Sequence, residues 1–296
     1  MYKVVVPATS ANLGPGFDCM GVALELYNIT EVEEIETGLK IESNSGNNNY
    51  NNENNLIYRT MKHIFDKVGH TPKGIRIIQT DNIPSTRGLG SSAACIVAGL
   101  LAANMMTGQN FSRDEIALIA AKLDGHPDNT TPAIFGGLRA AALSEDKLYH
   151  VDIETTENLK FIALIPDFTL STTKARMILP QLVSHNDAVF NLGRLAVLVS
   201  SLSQGKYENL VCGLEDKIHQ PYRKRFIPDI DKIFKKSMDL GARGCYISGA
   251  GPAIMALVDS EHNEFINKME EYIVDNLKTS WAPVLLKINK NGAEVF

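Results

Sequence analysis

A loop of glycine and serine residues is the first stretch of this sequence that could do chemistry. The segment IPSTRGLGSSAACIVAGLLAAN, residues 83–104, places Gly88, Gly90, Ser91 and Ser92 ahead of a long run of small apolar residues. Such a run favours a closely packed helix, and the first N–H groups of a helix have no partner within it. Those N–H groups and the helix dipole form a site for an anion, and the two hydroxyls add donors or a ligand for Mg²⁺. We therefore interpret the loop as a phosphate-binding site.

Three other interpretations of this loop carry less weight. GLGSSA fits the dinucleotide-binding fingerprint, but that motif needs an acidic residue at the end of a following strand. Here the next acids, Asp114 and Glu115, stand at the start of a predicted helix. The Walker A pattern requires a lysine before its Ser or Thr, and the loop has none there. A plain tight turn explains the small residues of the helix but leaves the paired serines unexplained.

Five further segments concentrate polar or glycine residues between predicted elements. Each one alone has an ordinary explanation, because an isolated arginine is usually solvated and a histidine beside proline usually belongs to a turn. Asn12 and Asp18 are the expected functional side chains of the first segment. The segments are PATSANLGPGFD (7–18), HPDN (126–129), STTKAR (171–176), PYRKRFIP (221–228) and SGAGP (248–252).

The composition limits the classes of protein that this chain can represent. It has 296 residues, 44% hydrophobic and 21% charged, which is a normal globular balance with room for a large core. A formal net charge of -5 argues against a nucleic-acid partner. No apolar run is long enough to cross a bilayer, so we expect no membrane partner and a cytoplasmic protein. The 4 cysteines form no CxxC pair and are expected to be reduced, and the 7 histidines have no zinc-site spacing.

The hydrophobic patterns predict a mixed α+β chain in two units. In the first unit, residues 22–36 suggest paired strands, residues 56–68 a helix, and residues 126–137 a turn-rich crossing. Ser112 with Glu115 forms the capping box of another helix. The Asn-rich segment 44–55 is predicted to be a loop.

FIALIP, residues 161–166, is a buried type of strand and starts the second unit. Helical spacing is expected over residues 186–203, 230–240 and 265–277. We place the domains at residues 1–155 and 156–296.

Taken in chain order, these segments resemble a known kinase superfamily, that of galactokinase, homoserine kinase, mevalonate kinase and phosphomevalonate kinase. GLGSSA and SGAGP are typical of the whole superfamily. SANLGPGFD, GHPDN and PYRKRFIP resemble the homoserine kinase family in particular, and the similarity runs from Pro7 to the closing GAEVF. The resemblance implies a left-handed βαβ crossover in the N-terminal domain, a ferredoxin-like C-terminal domain, an active site in the cleft between them, and a homodimer.

The resemblance also implies an activity and a set of nucleotide-binding residues. The expected reaction is ATP-dependent phosphorylation of the L-homoserine hydroxyl, in threonine biosynthesis, with ATP and Mg²⁺ as cofactors. Ser92 is expected near the magnesium ion. The expected ATP-binding residues are Asn55 at the adenine and Pro84, Ser85, Thr86, Arg87, Gly88, Leu89, Gly90, Ser91, Ser92 and Ala93 around the phosphates.

The substrate residues implied by the resemblance suit an amino acid. Asp18 would pair with the ammonium, while Arg176 and Arg223 would hold the carboxylate, since guanidinium forks match carboxylates. Arg176 is also expected to act in catalysis. The full substrate set is Asn12, Asp18, His126, Asn129, Thr172, Arg176, Arg223 and Gly249.

One position departs from the family pattern. The family carries a magnesium-binding Glu ahead of its GHPDN stretch, and in AAKLDGHPDN we assign that place to Lys122. A lysine cannot bind Mg²⁺. Three outcomes are therefore open. Ser92, ATP oxygens and water hold the metal alone, or Lys122 acts on phosphate charge, or the enzyme is weak or inactive, for example a non-catalytic nucleotide or amino-acid sensor. Asp124 stays acidic but would lie on another side of the helix.

The catalytic base stays open at this point. Asp128 matches an Asp that serves as base in mevalonate-type relatives, while transfer without a dedicated base is the alternative. Other functions to weigh are a different small-molecule kinase of the superfamily and an oxidoreductase with a Rossmann loop.

Overall fold

Two β-sheets, one built mainly from each half of the chain, carry the helices around the candidate site. The structure is a computed structural model, and it describes residues 1–44, 51–155, 159–259 and 264–296. The predicted Asn-rich loop lies partly outside the described residues, since residues 45–50 are not among them.

The elements of the first half are β1 (Tyr2–Ala11), β2 (Met20–Glu34), β3 (Gly38–Ser43), α1 (Leu56–Val68), β4 (Gly74–Thr80), α2 (Ser91–Met106), α3 (Arg113–Asp124), α4 (Pro127–Phe135), β5 (Leu138–Leu143) and β6 (Leu148–Asp152). The second half contains β7 (Leu159–Pro166), α5 (Thr172–Met177), α6 (His185–Gln204), α7 (Leu210–Gly213), α8 (Gln220–Arg223), α9 (Ile230–Asp239), β8 (Gly244–Ile247), β9 (Ile254–Asp259), α10 (Phe265–Asn276), β10 (Trp281–Leu286) and β11 (Glu294–Val295). Short 3₁₀ turns cover Tyr207–Asn209 and Lys224–Phe226.

The first sheet has seven strands in the order β11-β1-β2-β4-β3, with β5 joined to β2 and β6 joined to β5. Strands β3 and β4 are parallel and are connected through α1, so the first sheet contains a βαβ crossover. The other pairs in this sheet are antiparallel. Helix α2 is apolar around most of its surface and is buried accordingly, so its first turn is held firmly against β1.

The second sheet is antiparallel, in the order β10-β7-β9-β8. Counted within the second half, this is strand order 4-1-3-2, with helices between the first and second strands and between the third and fourth. The arrangement is ferredoxin-like, so the predicted α+β fold with two sheets is confirmed. The domain division near residue 155 stays a prediction, and strand β11 returns from the C-terminus to pair with β1.

Two of the element predictions are wrong. Residues 20–34 form the single 15-residue strand β2, because β1 pairs along most of its length, from Gly21 to Val32, with one register shift. Residues 127–135 form helix α4, where a turn-rich crossing was expected. Pro127 is suited to the first helical position, and Pro132 lies within the helix. None of the helices in the described ranges has the length and apolar character needed to span a membrane.

Candidate active site

The glycine loop lies where β1, α2 and the second sheet meet. Gly90 is the N-cap of α2 with φ 73°, and Gly88 has φ 77°, both in the left-handed region that favours glycine. A Cβ on Gly90 would lie 1.9 Å from Thr9 Oγ1, and one on Gly88 would lie 2.3 Å from the backbone oxygen of Ser248. The sequence therefore needs glycine at both positions to bring the loop backbone this close to its neighbours.

A buried chain of hydroxyl groups holds the loop in place. Tyr246 Oη lies 2.9 Å from Ser10 Oγ, which lies 2.8 Å from Ser248 Oγ, and Ser248 Oγ lies 2.6 Å from the carbonyl oxygen of Gly88. A carbonyl oxygen only accepts, so Ser248 donates to Gly88. The Ser248 hydroxyl also faces Ser10 Oγ as a donor, and either hydroxyl of the Ser10–Tyr246 pair can donate to the other. These contacts connect the buried Tyr246 to the glycine loop.

Arg87 ties the same loop to the C-terminal half. Its guanidinium donates to the carbonyl oxygens of Pro166 (2.9 Å) and Asp167 (2.8 Å), and its own carbonyl accepts from Ala253 N (3.1 Å). The Arg87 side chain thus holds the loop against the C-terminal half of the chain, and it also lies beside the cavity.

Two adjoining cavities surround this loop and share Pro84, Thr86, Ser91 and Ser92. The first, of about 440 Å³, is lined by the remaining loop residues and by the polar segments singled out in the sequence. The second, of about 610 Å³, reaches Asn55, Arg59, Gln79 and Asp81. The first cavity brings together Asn12, Asp18, Arg87, Gly88, Leu89, Gly90, Ala93, His126, Asp128, Asn129, Thr172, Arg176, Arg223 and Gly249, and Ser85 lines the second.

A separate cavity of about 650 Å³ lies near β10 and contains none of the predicted site residues. Its lining includes Lys287, Ile288 and Asn289. The candidate site is therefore identified by the chemistry of its lining residues and not by the volume of the cavity.

The first polar segment folds into a loop that presents one amide and one carboxylate. Asn12 (φ 73°) and Asp18 (φ 57°) adopt left-handed backbone, which Asn and Asp tolerate better than most residues. Asn12 Oδ1 accepts from Asp18 N (3.0 Å), and Asn12 Nδ2 donates to the carbonyl oxygen of Gly249 (2.8 Å). Asp18 then receives both guanidinium nitrogens of Arg176, at 3.0 and 2.6 Å. This forked pair bridges the two halves of the chain.

The GHPDN segment supplies a cluster of titratable groups at the start of α4. His126 Nδ1 contacts a carboxylate oxygen of Asp128 and lies 3.8 Å from Asp124 Oδ2. Burial raises the pKa of Asp124 to about 6. Burial also opposes the charge on His126, but its hydrogen bond to Asp128 and the two carboxylates outweigh burial and raise its pKa. Thr9 Oγ1 donates to Asn129 Oδ1 at 2.7 Å, so this cluster is fixed to β1 beside the glycine loop.

Arg223, at the end of helix α8, lines the first cavity and is the largest fully buried side chain among the described residues. Its Nη1 donates to the carbonyl oxygen of Gly249 at 2.7 Å. Burial lowers its pKa to about 10, so it remains a cation at neutral pH. The cavity is thus lined by three arginines, Arg87, Arg176 and Arg223, and by the carboxylates of Asp18, Asp124 and Asp128.

The structure does not bring Lys122 to the site. Lys122 is exposed on α3 and lines neither of the two cavities within the described residues. The acidic side chain that lines the cavity here is Asp124, the last residue of α3, just ahead of Gly125 with its left-handed φ of 86°. Both residues lie within α3, so helical spacing places them on different sides, and the side that faces the cavity is that of Asp124.

Asn55 has a structural role beside the second cavity. Its Oδ1 caps α1 by accepting from Ile57 N and Tyr58 N, and its Nδ2 donates to Gln79 Oε1. Arg59 and Gln79, which were not predicted as site residues, line the same cavity. Arg59 stands one helical turn after Asn55, and that spacing is the signal that could have identified it.

This geometry matches a known class of proteins. Residues 55–137 match the family described as GHMP kinases N terminal domain, and residues 199–275 match GHMP kinases C terminal. The chain thus belongs to that class of small-molecule kinases, and membership of a kinase family implies ATP as the phosphoryl donor.

Curated relatives narrow the class. The chain is 49% identical to a homoserine kinase of Caldicellulosiruptor saccharolyticus, over 100% of this chain and 97% of the relative. It is 44% identical to a homoserine kinase of Clostridium botulinum, over 100% and 98%. The chain belongs to the homoserine kinase family.

Solved structures agree with this fold. The crystal structure of homoserine kinase from Cytophaga hutchinsonii superposes with a TM-score of 0.87 at 28% identity, covering 99% of this chain and 96% of that one. The structure of L. major mevalonate kinase in complex with R-mevalonate gives 0.74 at 17% identity, covering 97% and 96%, which supports the shared fold alone.

Proposed function

We propose that this protein transfers the γ-phosphoryl group of ATP to the hydroxyl of L-homoserine, a step of threonine biosynthesis. One observation carries the proposal. A single cavity is lined by an anion-binding helix N-terminus and by the charged groups that a free amino acid requires, a carboxylate and two guanidinium groups.

The substrate end suits the two charges of homoserine. Asp18 already accepts two bonds from Arg176, and an ionised carboxylate has about four lone-pair sites, so Asp18 keeps acceptor capacity for an ammonium. Arg223 and Arg176 provide donors for the carboxylate. Asn12, Asn129 and Thr172 would orient the hydroxyl, and His126 and Gly249 complete the lining. Mevalonate has no ammonium and would leave the Asp18 acceptors unused.

The nucleotide end fits ATP along the loop. The phosphates would contact the N–H groups at the start of α2, and the base would occupy the second cavity near Asn55. Phosphoryl transfer depends mainly on alignment and on stabilising charge. The loop backbone serves both needs, because it is held in place by the hydroxyl chain from Tyr246 before ATP arrives.

Magnesium fits the donor set of the first cavity. Mg²⁺ prefers oxygen ligands and usually binds through one or two carboxylates together with substrate phosphates. Ser92 and Asp124 offer a hydroxyl and a carboxylate in the same cavity. A second group, Asp18, His126 and Asp128, lies within 4.8 Å, but it includes an imidazole and its carboxylates are engaged by Arg176 and His126. We assign the ion to Ser92 and Asp124, where it would neutralise phosphate charge.

Asp128 is the candidate base for the attacking hydroxyl. It is 2% exposed, lies in the first turn of α4, and contacts His126, which can hold or pass on a proton. Transfer without a dedicated base is the alternative.

The test of this function is ADP release by the purified protein with MgATP and L-homoserine, L-threonine, L-serine or mevalonate. Turnover on homoserine above the others is expected. An Arg176→Ala variant should raise KM for homoserine at least about tenfold, with KM for ATP little changed. Arg225 is a matched control, because it is an exposed arginine two residues from Arg223 and lines neither cavity among the described residues.

Two outcomes would overturn the proposal. Tight ATP binding with no turnover of any alcohol would favour a sensor. Preference for mevalonate would favour another kinase of the same class. Equal losses in Arg176→Ala and Arg225→Ala would show that the arginine effect is not specific to the cavity.

We also propose that the protein is a homodimer in which a second copy covers strand β6. Within the described residues β6 pairs with β5 alone, so it is an edge, and its Tyr149 and Val151 are 56% and 61% exposed. Two antiparallel β6 strands centred on His150 would set Tyr149 of each copy against Val151 of the other, a favourable cross-strand pair. Light scattering should give twice the mass of one chain, and Val151→Glu should halve it. Val274→Glu, on the exposed side of α10, should not.

A further inference from the structure

A fully buried histidine lies behind the substrate end of the cavity. His219 precedes helix α8 and is 0% exposed. Its Nε2 is 2.7 Å from the carbonyl oxygen of Gly14, and its Nδ1 is 3.2 Å from Arg223 Nη1. A carbonyl oxygen only accepts and a guanidinium only donates, so Nε2 must carry the proton and Nδ1 must offer its lone pair. The partners therefore define a neutral imidazole in one tautomer.

Asp216 holds this histidine in position from the same turn. Its buried carboxylate accepts from the backbone N–H groups of Ile218 (3.0 Å), His219 (2.9 Å) and Gln220 (2.6 Å), and from Asn191 Nδ2 (2.7 Å). The carboxylate also lies 3.6 Å from His219 Nε2, on the side that carries the proton. One buried anion therefore holds the backbone of this turn, while Gly14 and Arg223 orient the ring.

Arg223 has little rotational freedom as a result. Nη1 uses its two N–H groups on the carbonyl oxygen of Gly249 and on His219 Nδ1, and Nε faces the carbonyl oxygen of Ala175 at 3.4 Å. Nη2 has no partner among the described residues, and Arg223 lines the first cavity. The two N–H groups of Nη2 are left for a ligand, in a direction set by the bonds of Nη1.

Phe17 is the third member of this arrangement. Its ring stacks on His219 with centroids 5.2 Å apart and an interplanar angle of 25°. The guanidinium carbons of Arg223 and Arg176 lie 5.2 and 5.6 Å from the same ring centroid. One aromatic side chain therefore contacts the histidine and both substrate arginines.

We propose that His219, as the neutral Nε2–H imidazole, and Phe17 are positioning residues that fix the Arg223 guanidinium for the carboxylate of the amino-acid substrate. The proposal rests on the proposed function, because Arg223 is assigned to the substrate there. Neither residue acts on phosphoryl transfer. Their effect is expected in KM for the amino acid.

A pair of histidine variants separates positioning from general stability. A glutamine amide reaches as far as Nε2, so His219→Gln keeps the donor to Gly14 and removes the acceptor for Arg223. An asparagine amide reaches as far as Nδ1, so His219→Asn keeps the acceptor and removes the donor. His219→Gln should raise KM for homoserine about tenfold or more, with KM for ATP within about twofold, and His219→Asn should raise it less than about threefold. Equal effects, or the reverse order, would overturn the proposal.

Phe17 gives an independent test if the buried histidine variants fold poorly. Phe17 is half-buried, so its replacement is expected to be tolerated. Phe17→Leu should raise KM for homoserine at least about fivefold, and Phe17→Tyr, which keeps the ring face, should stay near the wild-type value. An unchanged KM in Phe17→Leu, or equal losses for homoserine and ATP, would refute positioning. Failure of the wild-type protein to phosphorylate homoserine would contradict the proposed function instead, so the two failures are distinct.

Discussion

Acid should destabilise this protein through His219 in particular. Burial lowers the pKa of His219 to about 4, from an ordinary 6.5. The charged groups that face it are Asp216 and Asp18, which favour the proton, and Arg223, which opposes it. The folded protein therefore excludes a proton that the unfolded chain accepts below pH 6.5. By linkage, stability is full above that pH and falls as the pH drops towards 4.

The size of this effect follows from the two pKa values. Between pH 7.5 and pH 5, a histidine with a pKa of 6.5 unfolded and about 4 folded costs about 2 kcal/mol of unfolding free energy. In urea this corresponds to a midpoint lower by roughly 0.5–1 M.

The assay is urea unfolding of the wild-type protein and His219→Gln at pH 7.5 and pH 5. The variant lacks the titrating ring, so its midpoint should fall by less than that of the wild type over the same interval. Asp124, whose pKa burial raises to about 6, titrates between these pH values, but it is present in both proteins and cancels in the comparison. An exposed histidine, His185, serves as the control, and His185→Gln should follow the wild type.

The result that would refute this reasoning is an equal midpoint loss in the wild type and in His219→Gln. It would mean that His219 accepts a proton in the folded protein. The single tautomer inferred from Gly14 and Arg223 would then be wrong.

Three further outcomes are expected. Gly88→Ala should raise KM for ATP about tenfold or more in steady-state kinetics, because its Cβ would meet the backbone oxygen of Ser248 at a left-handed φ. Lys122→Glu should leave kcat within about twofold, whereas Asp124→Asn should raise the Mg²⁺ concentration needed for half-maximal rate, which a magnesium titration measures. Asp128→Asn should lower kcat by about 10²–10³ with both KM values little changed, and nearly full kcat would remove Asp128 as the base.

Much of the fold can be predicted from the sequence, because local sequence patterns such as helix caps and apolar runs agree with the burial in the structure. The capping box at Ser112, with Glu115 as its acidic partner, is present as predicted. The apolar run of residues predicts helix α2 directly, because such a run favours a helix that is buried around most of its surface. Helix α4 was missed because Pro127 and Pro132 read as turn formers, and position decides whether proline starts a helix or ends one.

The site was harder to predict where tertiary structure sets a side chain's direction. Asp124 and Lys122 are two residues apart, and helix spacing alone would put them on different sides. The packing of α3 against the rest of the domain decides which side faces the cavity, and the sequence alone does not contain that orientation. No sequence pattern indicated the role of His219. One of its partners, Gly14, is distant in the chain, and the other, Arg223, lies in the short helix that follows His219.

The SGAGP segment connects the two ends of the cavity. Ser248 donates to the carbonyl oxygen of Gly88 in the phosphate loop, while the carbonyl oxygen of the next residue, Gly249, accepts from Asn12 and from Arg223. The side chain of Ser248 and the backbone of the adjacent Gly249 thus hold the groups assigned to ATP and the groups assigned to the amino acid. A shift of this segment by a fraction of an ångström would displace both sets together, and alignment of donor and acceptor is what phosphoryl transfer requires. Under the proposed function, one short loop therefore sets the position of the two ligands relative to each other.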